Sequence, residues 1–237
     1  MLYVASAALP IRLGAALSAL IIVFCVIGLT MHQDFYAGKK RRDFFFFYTN
    51  LSNLFVLLYF ALAAPRLYTS PSLHHLIPHA EFAVMMIIML TCCVFHFVLF
   101  PAVYPCVISM PHTREFKIVV TDNLIVHYLV PLCVFFYWLF CSPEKNMLIF
   151  SDAVIWTAFP LLYIIAVFIR APLRGVIQEV GCAYPYPFLD IHTFGIFRVV
   201  RTCTVLYFLC VCAGTLIIAL IQLVFAQSNT GKMLIFI

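Results

Sequence analysis

Six runs of about twenty mostly apolar residues, near 11–31, 44–64, 80–101, 123–142, 151–170 and 200–225, dominate the sequence. A helix needs about twenty residues to cross the roughly 30 Å hydrocarbon core of a bilayer, and only helices and closed barrels satisfy their backbone polar groups there. The runs predict an all-α polytopic membrane protein, a bundle of six transmembrane helices forming a single integral membrane domain over residues 1–237. Composition removes the alternative of core helices in a soluble domain: 65% of the residues are hydrophobic and 10% charged, against roughly 45–50% apolar in soluble chains. The first run is too long for a secretory h-region and no small-residue cleavage site follows it, so it reads as a retained helix. The tail from Ser228 to Ile237 is too short for a further domain.

In such a chain the positions of Lys and Arg carry more information than the net charge of +5. With spans alternating in direction, one side receives Lys39, Lys40, Arg41, Arg42, Arg114, Lys117, Arg170, Arg174, Arg198 and Arg201, and the other Arg12, Arg66, Lys145 and Lys232. Ten against four puts the first, third and fifth connections in the cytoplasm and both termini outside it. The cluster at 39–42 supplies much of this bias; contact with anionic lipid is its other reading. Of the ten cysteines, Cys25, Cys92, Cys93, Cys133, Cys141, Cys203, Cys210 and Cys212 fall in spans without metal-ligand spacing, and read as small packing residues. His74, His75 and His79 in the second connection (65–79) have only Glu81 as an acidic neighbour and read as part of an exposed polar turn. No metal, organic cofactor or nucleic-acid partner is expected, and the oligomeric state stays open.

The one polar interruption of the apolar pattern is Tyr48-Thr49-Asn50-Leu51-Ser52-Asn53. Hydrocarbon offers these groups no water, so they must find partners inside the bundle or line a cavity. Helical spacing gathers Thr49, Ser52 and Asn53 on one face, and Thr49 is expected roughly 8 Å below the start of span two. Span four carries Asn123, His127 and Pro131 at intervals of four, on one face, with His127 about 6 Å inside the same boundary. Pro131 lacks the N–H that would bond the carbonyl of His127, which invites a kink there. His96, near the inner end of span three, falls at the same depth. In span one, Gly14 to Ala19 offers the small residues that let a neighbour approach. Before span six, Tyr184-Pro185-Tyr186-Pro187-Phe188-Leu189-Asp190 cannot continue a helix, and reads as an aromatic lid or an interfacial anchor.

Three groups at one depth of one membrane face admit two meanings. Interhelical hydrogen bonds alone account for Asn, Ser, Thr and His, at roughly 0.6–2 kcal/mol each. Alternatively, His127 takes the proton of Thr49 as its hydroxyl attacks a carbonyl, with Asn50, Asn53 or Tyr184 donating to the oxyanion and Asp122 or Asp190 orienting the imidazole. Ser52 is then a rival hydroxyl and His96 a rival base. A solute-binding or transport protein, with Pro131 and Pro160 marking moving helices, and a structural interaction protein are the competing readings.

Thr49-Asn50-Leu51-Ser52-Asn53, His127 with Pro131, and the segment from Tyr184 to Asp190 together resemble the androgen-induced protein family, closest to its bacterial six-pass relatives. The resemblance covers residues 11–225 in architecture and rests on those three motifs. It implies an intramembrane threonine hydrolase acting on fatty acid esters of hydroxy fatty acids, with Thr49 as nucleophile and His127 as base. Tyr186 and Asp190 belong to the third motif, and with Asn50, Asn53, Ser52, His96, Asn123 and Tyr184 make up the expected supporting set. The expected partner is a membrane lipid or fatty-acyl ester.

Overall fold

The computed structural model describes residues 2–35, 41–101, 113–177 and 180–229; Lys39 and Lys40 of the basic cluster, and Lys232, lie outside the described residues. Among the described residues the chain is helical with no strand, and a single bridge joins Ile177 to Cys182. Six helices are long and apolar enough to cross a membrane: α1 Ile11–Met31, α2 Tyr48–Thr69, α3 Pro71–Leu99, α4 Phe116–Cys141, α5 Asp152–Arg174 and α6 Ile196–Ala226. The protein is an all-α, multi-pass integral membrane protein.

Three boundaries depart from the sequence expectation, each for a local reason. Phe44–Phe47 does not open the second span: Arg41–Phe46 forms a 3-10 helix and Phe47, in extended geometry, caps α2 at Tyr48. Thr49 therefore stands in the first turn of its helix, and counting down from Phe44 misjudges its position. The second connection is exposed as expected but helical, since only Ser70 separates α2 from α3. Pro71 and Pro78 each sit in the first turn of a helical segment, a position that proline favours. The lead into the fourth span is helical from Arg114, capped by the Thr113 hydroxyl accepting from the Phe116 amide.

Proline also explains a repeated irregularity. Short π-turns interrupt α2 at Tyr59–Ala63, α3 at Phe95–Leu99 and α4 at Ile125–Leu129. Each is followed two residues later by Pro65, Pro101 or Pro131, so the carbonyl four residues before the proline belongs to the central residue of the π-turn. Proline offers that carbonyl no donor, and one wider turn absorbs the mismatch. His127 is the central residue of the turn in α4.

Helices α1 to α4 form the compact part of the bundle: α1 lies against α2 and α4, and α3 packs on both. Ile21, Cys25, Val56, Phe82, Ile88 and Val130 are buried between them. Among the described glycines the tightest contact is at Gly28 rather than in the Gly14–Ala19 stretch. A Cβ on Gly28 would lie 2.5 Å from Val126 Cγ1, whereas one on Gly14 would meet Cys141 at an ordinary 3.5 Å. Gly28→Ala is expected to cost about 1–3 kcal/mol by overpacking and to push Val126, the neighbour of His127, out of place; a lowered thermal midpoint of the purified protein checks this. Helix α5 meets the bundle through Phe159 and Tyr163, whose rings contact Tyr48 and Phe55. Helix α6 is peripheral, tied at its far end by Gln222 Nε2 donating to the carbonyl of Leu148.

Two buried polar clusters occupy opposite ends of this bundle. One surrounds Thr49. In the other, Tyr68 and Tyr137 donate to Glu81 Oε1 at 2.9 and 3.0 Å, with Glu81 itself 2% exposed. The connection histidines do not act as a group: His79 Nδ1 lies 2.8 Å from Asp152 Oδ2 and His74 Nδ1 lies 3.8 Å from Glu144.

Candidate functional site

The first turn of a helix leaves amides without intrahelical partners. In α2 one of these, the N–H of Thr49, donates to the hydroxyl of Tyr186 at 3.3 Å. This contact joins the lid segment to the head of α2 across 137 residues of sequence. Burial pushes the Tyr186 phenol above the ordinary tyrosine value. Pro185 and Pro187 bracket it and keep the segment extended until Pro187–Leu189 turns as a 3-10 helix. Tyr163 completes the frame by donating to the carbonyl of Phe46 at 2.8 Å.

His127 faces Thr49 from α4. Its Nε2 is 3.2 Å from Thr49 Oγ1, and its Nδ1 is 3.3 Å from the carbonyl of Asn123. A carbonyl only accepts, so this contact assigns the ring proton to Nδ1 and leaves Nε2 as the acceptor for the threonine hydroxyl. Phe95 fixes the ring plane: the two rings stack with centroids 3.8 Å apart and 19° between planes. The π-turns of α3 and α4 supply both partners of this stack.

The neighbouring polar groups hold Thr49 in place. Asn53 Nδ2 donates to the Thr49 carbonyl at 2.8 Å and to that of Val126 at 3.2 Å, linking α2 to α4 beside His127. Ser52 Oγ donates to the Thr49 carbonyl at 3.0 Å and lies 2.7 Å from Thr91 Oγ1, linking α2 to α3. Asn50 Nδ2 donates to the Phe44 carbonyl at 2.8 Å and anchors the 3-10 segment. The Oδ1 atoms of Asn50 and Asn53 are buried without a hydrogen-bond partner among the described residues.

Other residues of the expected set stand apart. His96 is exposed on the outer side of α3, 3.1 Å from the Tyr128 hydroxyl, because consecutive helical residues stand about 100° apart and Phe95 holds the inward face. Tyr184 is buried against Phe168 and His192, and it is Tyr186 that reaches Thr49. Asp190 caps the short helix Ile191–Phe194, accepting from the amides of His192 and Thr193; the Thr193 hydroxyl, 2.6 Å away, holds its carboxyl below the usual carboxylate range. Asn123 contributes its main-chain carbonyl. Asp122 is buried in the turn preceding His127. The lid is fastened by Arg170, which donates to the carbonyls of Gly175 at 2.7 Å and Ala183 at 2.8 Å and lies 4.4 Å over the ring of Phe46.

No family model, curated protein or solved structure matches this chain.

A cavity of about 350 Å³ adjoins Thr49 and runs between α3, α5, α6 and the lid. Its walls are mostly apolar, with Leu90, Val94, Phe95, Ile164, Leu206 and Phe188 among them. A buried imidazole facing a buried hydroxyl that lines an apolar chamber suits acyl transfer from a lipophilic substrate. Sequence reasoning missed Phe95, Thr91 and Tyr163. The first was hidden in the apolar pattern of α3, and the other two carry no local signal of what they face.

Proposed function

We propose that the protein is an intramembrane lipid ester hydrolase with Thr49 as nucleophile and His127 as general acid and base. The observation that carries this reading is the 3.2 Å contact between Thr49 Oγ1 and His127 Nε2, with Thr49 lining the apolar cavity. In the first step Nε2 takes the hydroxyl proton as Oγ1 bonds to the ester carbonyl carbon. The tetrahedral oxyanion forms near the N-terminal turn of α2, where the helix dipole and the Tyr186 hydroxyl favour negative charge. Collapse breaks the bond to the alcohol oxygen, which leaves with the proton from Nε2. Water, deprotonated by the same nitrogen, then attacks the acyl-threonine; the acid departs and the proton returns to Oγ1. The carbonyl of Asn123 does for His127 what a carboxylate does in a serine triad, fixing the tautomer without supplying charge. The resemblance to the androgen-induced protein family implies the same two roles, and the Lys and Arg distribution turns the site towards the cytoplasmic leaflet.

A binding or transport reading draws support from the second buried polar cluster at Glu81. Between the clusters, however, each helix passes through buried apolar side chains: Val56 on α2, Val84 and Ile88 on α3, Val130 and Val134 on α4, all at most 2% exposed. A dry layer of this kind favours chemistry at one end over passage through the bundle.

A fluorophosphonate probe, which traps activated hydroxyl groups, tests the proposal on the purified protein. Labelling is expected in wild type and in Ser52→Ala, and is expected to vanish in Thr49→Ala and His127→Ala while all variants stay monodisperse. A well-folded wild type that takes no label, or label that persists in Thr49→Ala, would overturn it.

A further inference from the structure

The cavity beside Thr49 has a readable depth. Tyr163 is level with the site, since its hydroxyl reaches the Phe46 carbonyl and its ring packs on Tyr48. Thr157, at the other end of the α5 wall, lies six residues further along, about 9 Å. On α3, Phe95 stacks on His127 and Leu90 lies five residues deeper, about 7 Å. On α6 the lining runs from Cys203 to Cys210, seven residues or about 10 Å. The chamber thus extends from Thr49 towards the middle of the bilayer and has a floor at the level of Leu90, Thr157 and Cys210.

Its capacity follows from comparison. An apolar cavity of about 150 Å³ takes benzene, so about 350 Å³ has ample width for an alkyl chain, and the depth of roughly 10 Å sets its length. We propose that this chamber is the acyl pocket of the site and that its floor, set by Leu90 and Cys210, selects acyl groups of about eight carbons, the extended length that a depth of roughly 10 Å holds. The proposal rests on the hydrolase reading for its catalytic consequence, whereas the occupancy of the chamber by an alkyl chain does not. Orientation follows from the geometry: the carbonyl carbon stops at Thr49 Oγ1, the alkyl chain descends between α3, α5 and α6, and the alcohol half of the ester stays on the lid side, near Tyr186 and Phe188. Filling the floor with a larger side chain shortens the chamber, and truncating Leu90 deepens it. A terminal methylene that no longer fits loses its burial.

The test is hydrolysis of p-nitrophenyl butanoate, octanoate, dodecanoate and octadecanoate in one detergent by wild type, Cys210→Phe and Leu90→Ala. In wild type the octanoate is expected to be cleaved faster than either the butanoate or the octadecanoate. Cys210→Phe is expected to lower the ratio of octanoate to butanoate rates about tenfold or more, and Leu90→Ala to raise the ratio of dodecanoate to octanoate. The same length profile in all three proteins overturns the acyl pocket and leaves the hydrolase standing. If no ester is cleaved the hydrolase reading falls, and native mass spectrometry with octanoic acid decides the pocket. Retention by wild type that is lost in Cys210→Phe supports it; equal retention, or none, overturns it.

Discussion

Replacing His127 by alanine is expected to slow ester cleavage by about 10²–10⁴-fold, the range that a positioned general base contributes, with little change in the substrate concentration for half-maximal rate. The imidazole sits at the hydroxyl of Thr49 rather than along the cavity wall, so it acts on the proton and not on the chain. Without it the threonine hydroxyl keeps its proton as it attacks. Tyr186→Phe separates the oxyanion partner from the base: it removes the hydroxyl that meets the Thr49 amide and leaves the ring that stacks against Phe188. A fall of up to about 10²–10³-fold in turnover is expected, with the probe still attached at Thr49. Phe95→Ala takes away the face against which the imidazole stacks, and is expected to fall between wild type and His127→Ala. Initial rates on a single chromogenic ester, with monodispersity measured on the same samples, check all three. A His127→Ala protein that keeps its rate would remove the imidazole from the mechanism.

The second large effect is on stability, and it lies at the other end of the bundle. Glu81→Ala is expected to destabilise the protein by about 1–3 kcal/mol, the cost of leaving the buried Tyr137 hydroxyl without its acceptor, with the exposed Tyr68 adding less. Tyr68 and Tyr137 both donate to Glu81 Oε1, and their own hydroxyls lie 3.2 Å apart. Removing the carboxyl leaves two phenols from α2 and α4 facing a void in α3. Glu81→Gln keeps one acceptor oxygen of nearly the same shape and is expected to cost less than half as much. The thermal midpoint in detergent, followed by the fluorescence of Trp138 and Trp156, gives the order Glu81, Gln, Ala. Turnover of the folded fraction is expected to be unchanged in both variants, since the buried valines and isoleucine of the three helices separate this cluster from Thr49. An alanine variant as stable as wild type would show that the carboxyl is dispensable to the bundle.

Part of this protein was legible in its sequence. Hydropathy gives the six spans because a bilayer admits only segments long enough to cross it with their backbone bonds closed. Helical spacing grouped Thr49, Ser52 and Asn53, and the proline four residues beyond His127 marked the turn that widens around it. The proline positions do the same in α2 and α3. What sequence periodicity encodes is a depth and a face along one helix.

Which face meets which was decided only by packing. Three of the expected groups share a depth, yet His127 meets Thr49, Ser52 turns to Thr91 and His96 leaves the interior for Tyr128. Tyr184 and Tyr186, two residues apart in an extended segment, point to different sides, and only Tyr186 reaches the head of α2. The stacking partner of the histidine is a phenylalanine that no polar pattern announces. The physical reason is that lipid tails are as apolar as the side chains of these helices, so the hydrophobic contrast that orients a helix in water has little to say about lateral neighbours here. Close approach at Gly28 and hydrogen bonds between helices make that choice, and both are properties of pairs of segments far apart in the chain. The sequence by itself determined a six-helix membrane protein with a polar head on α2 and an aimed histidine on α4; the tertiary structure alone decided that the two meet, and that an apolar chamber opens beside them.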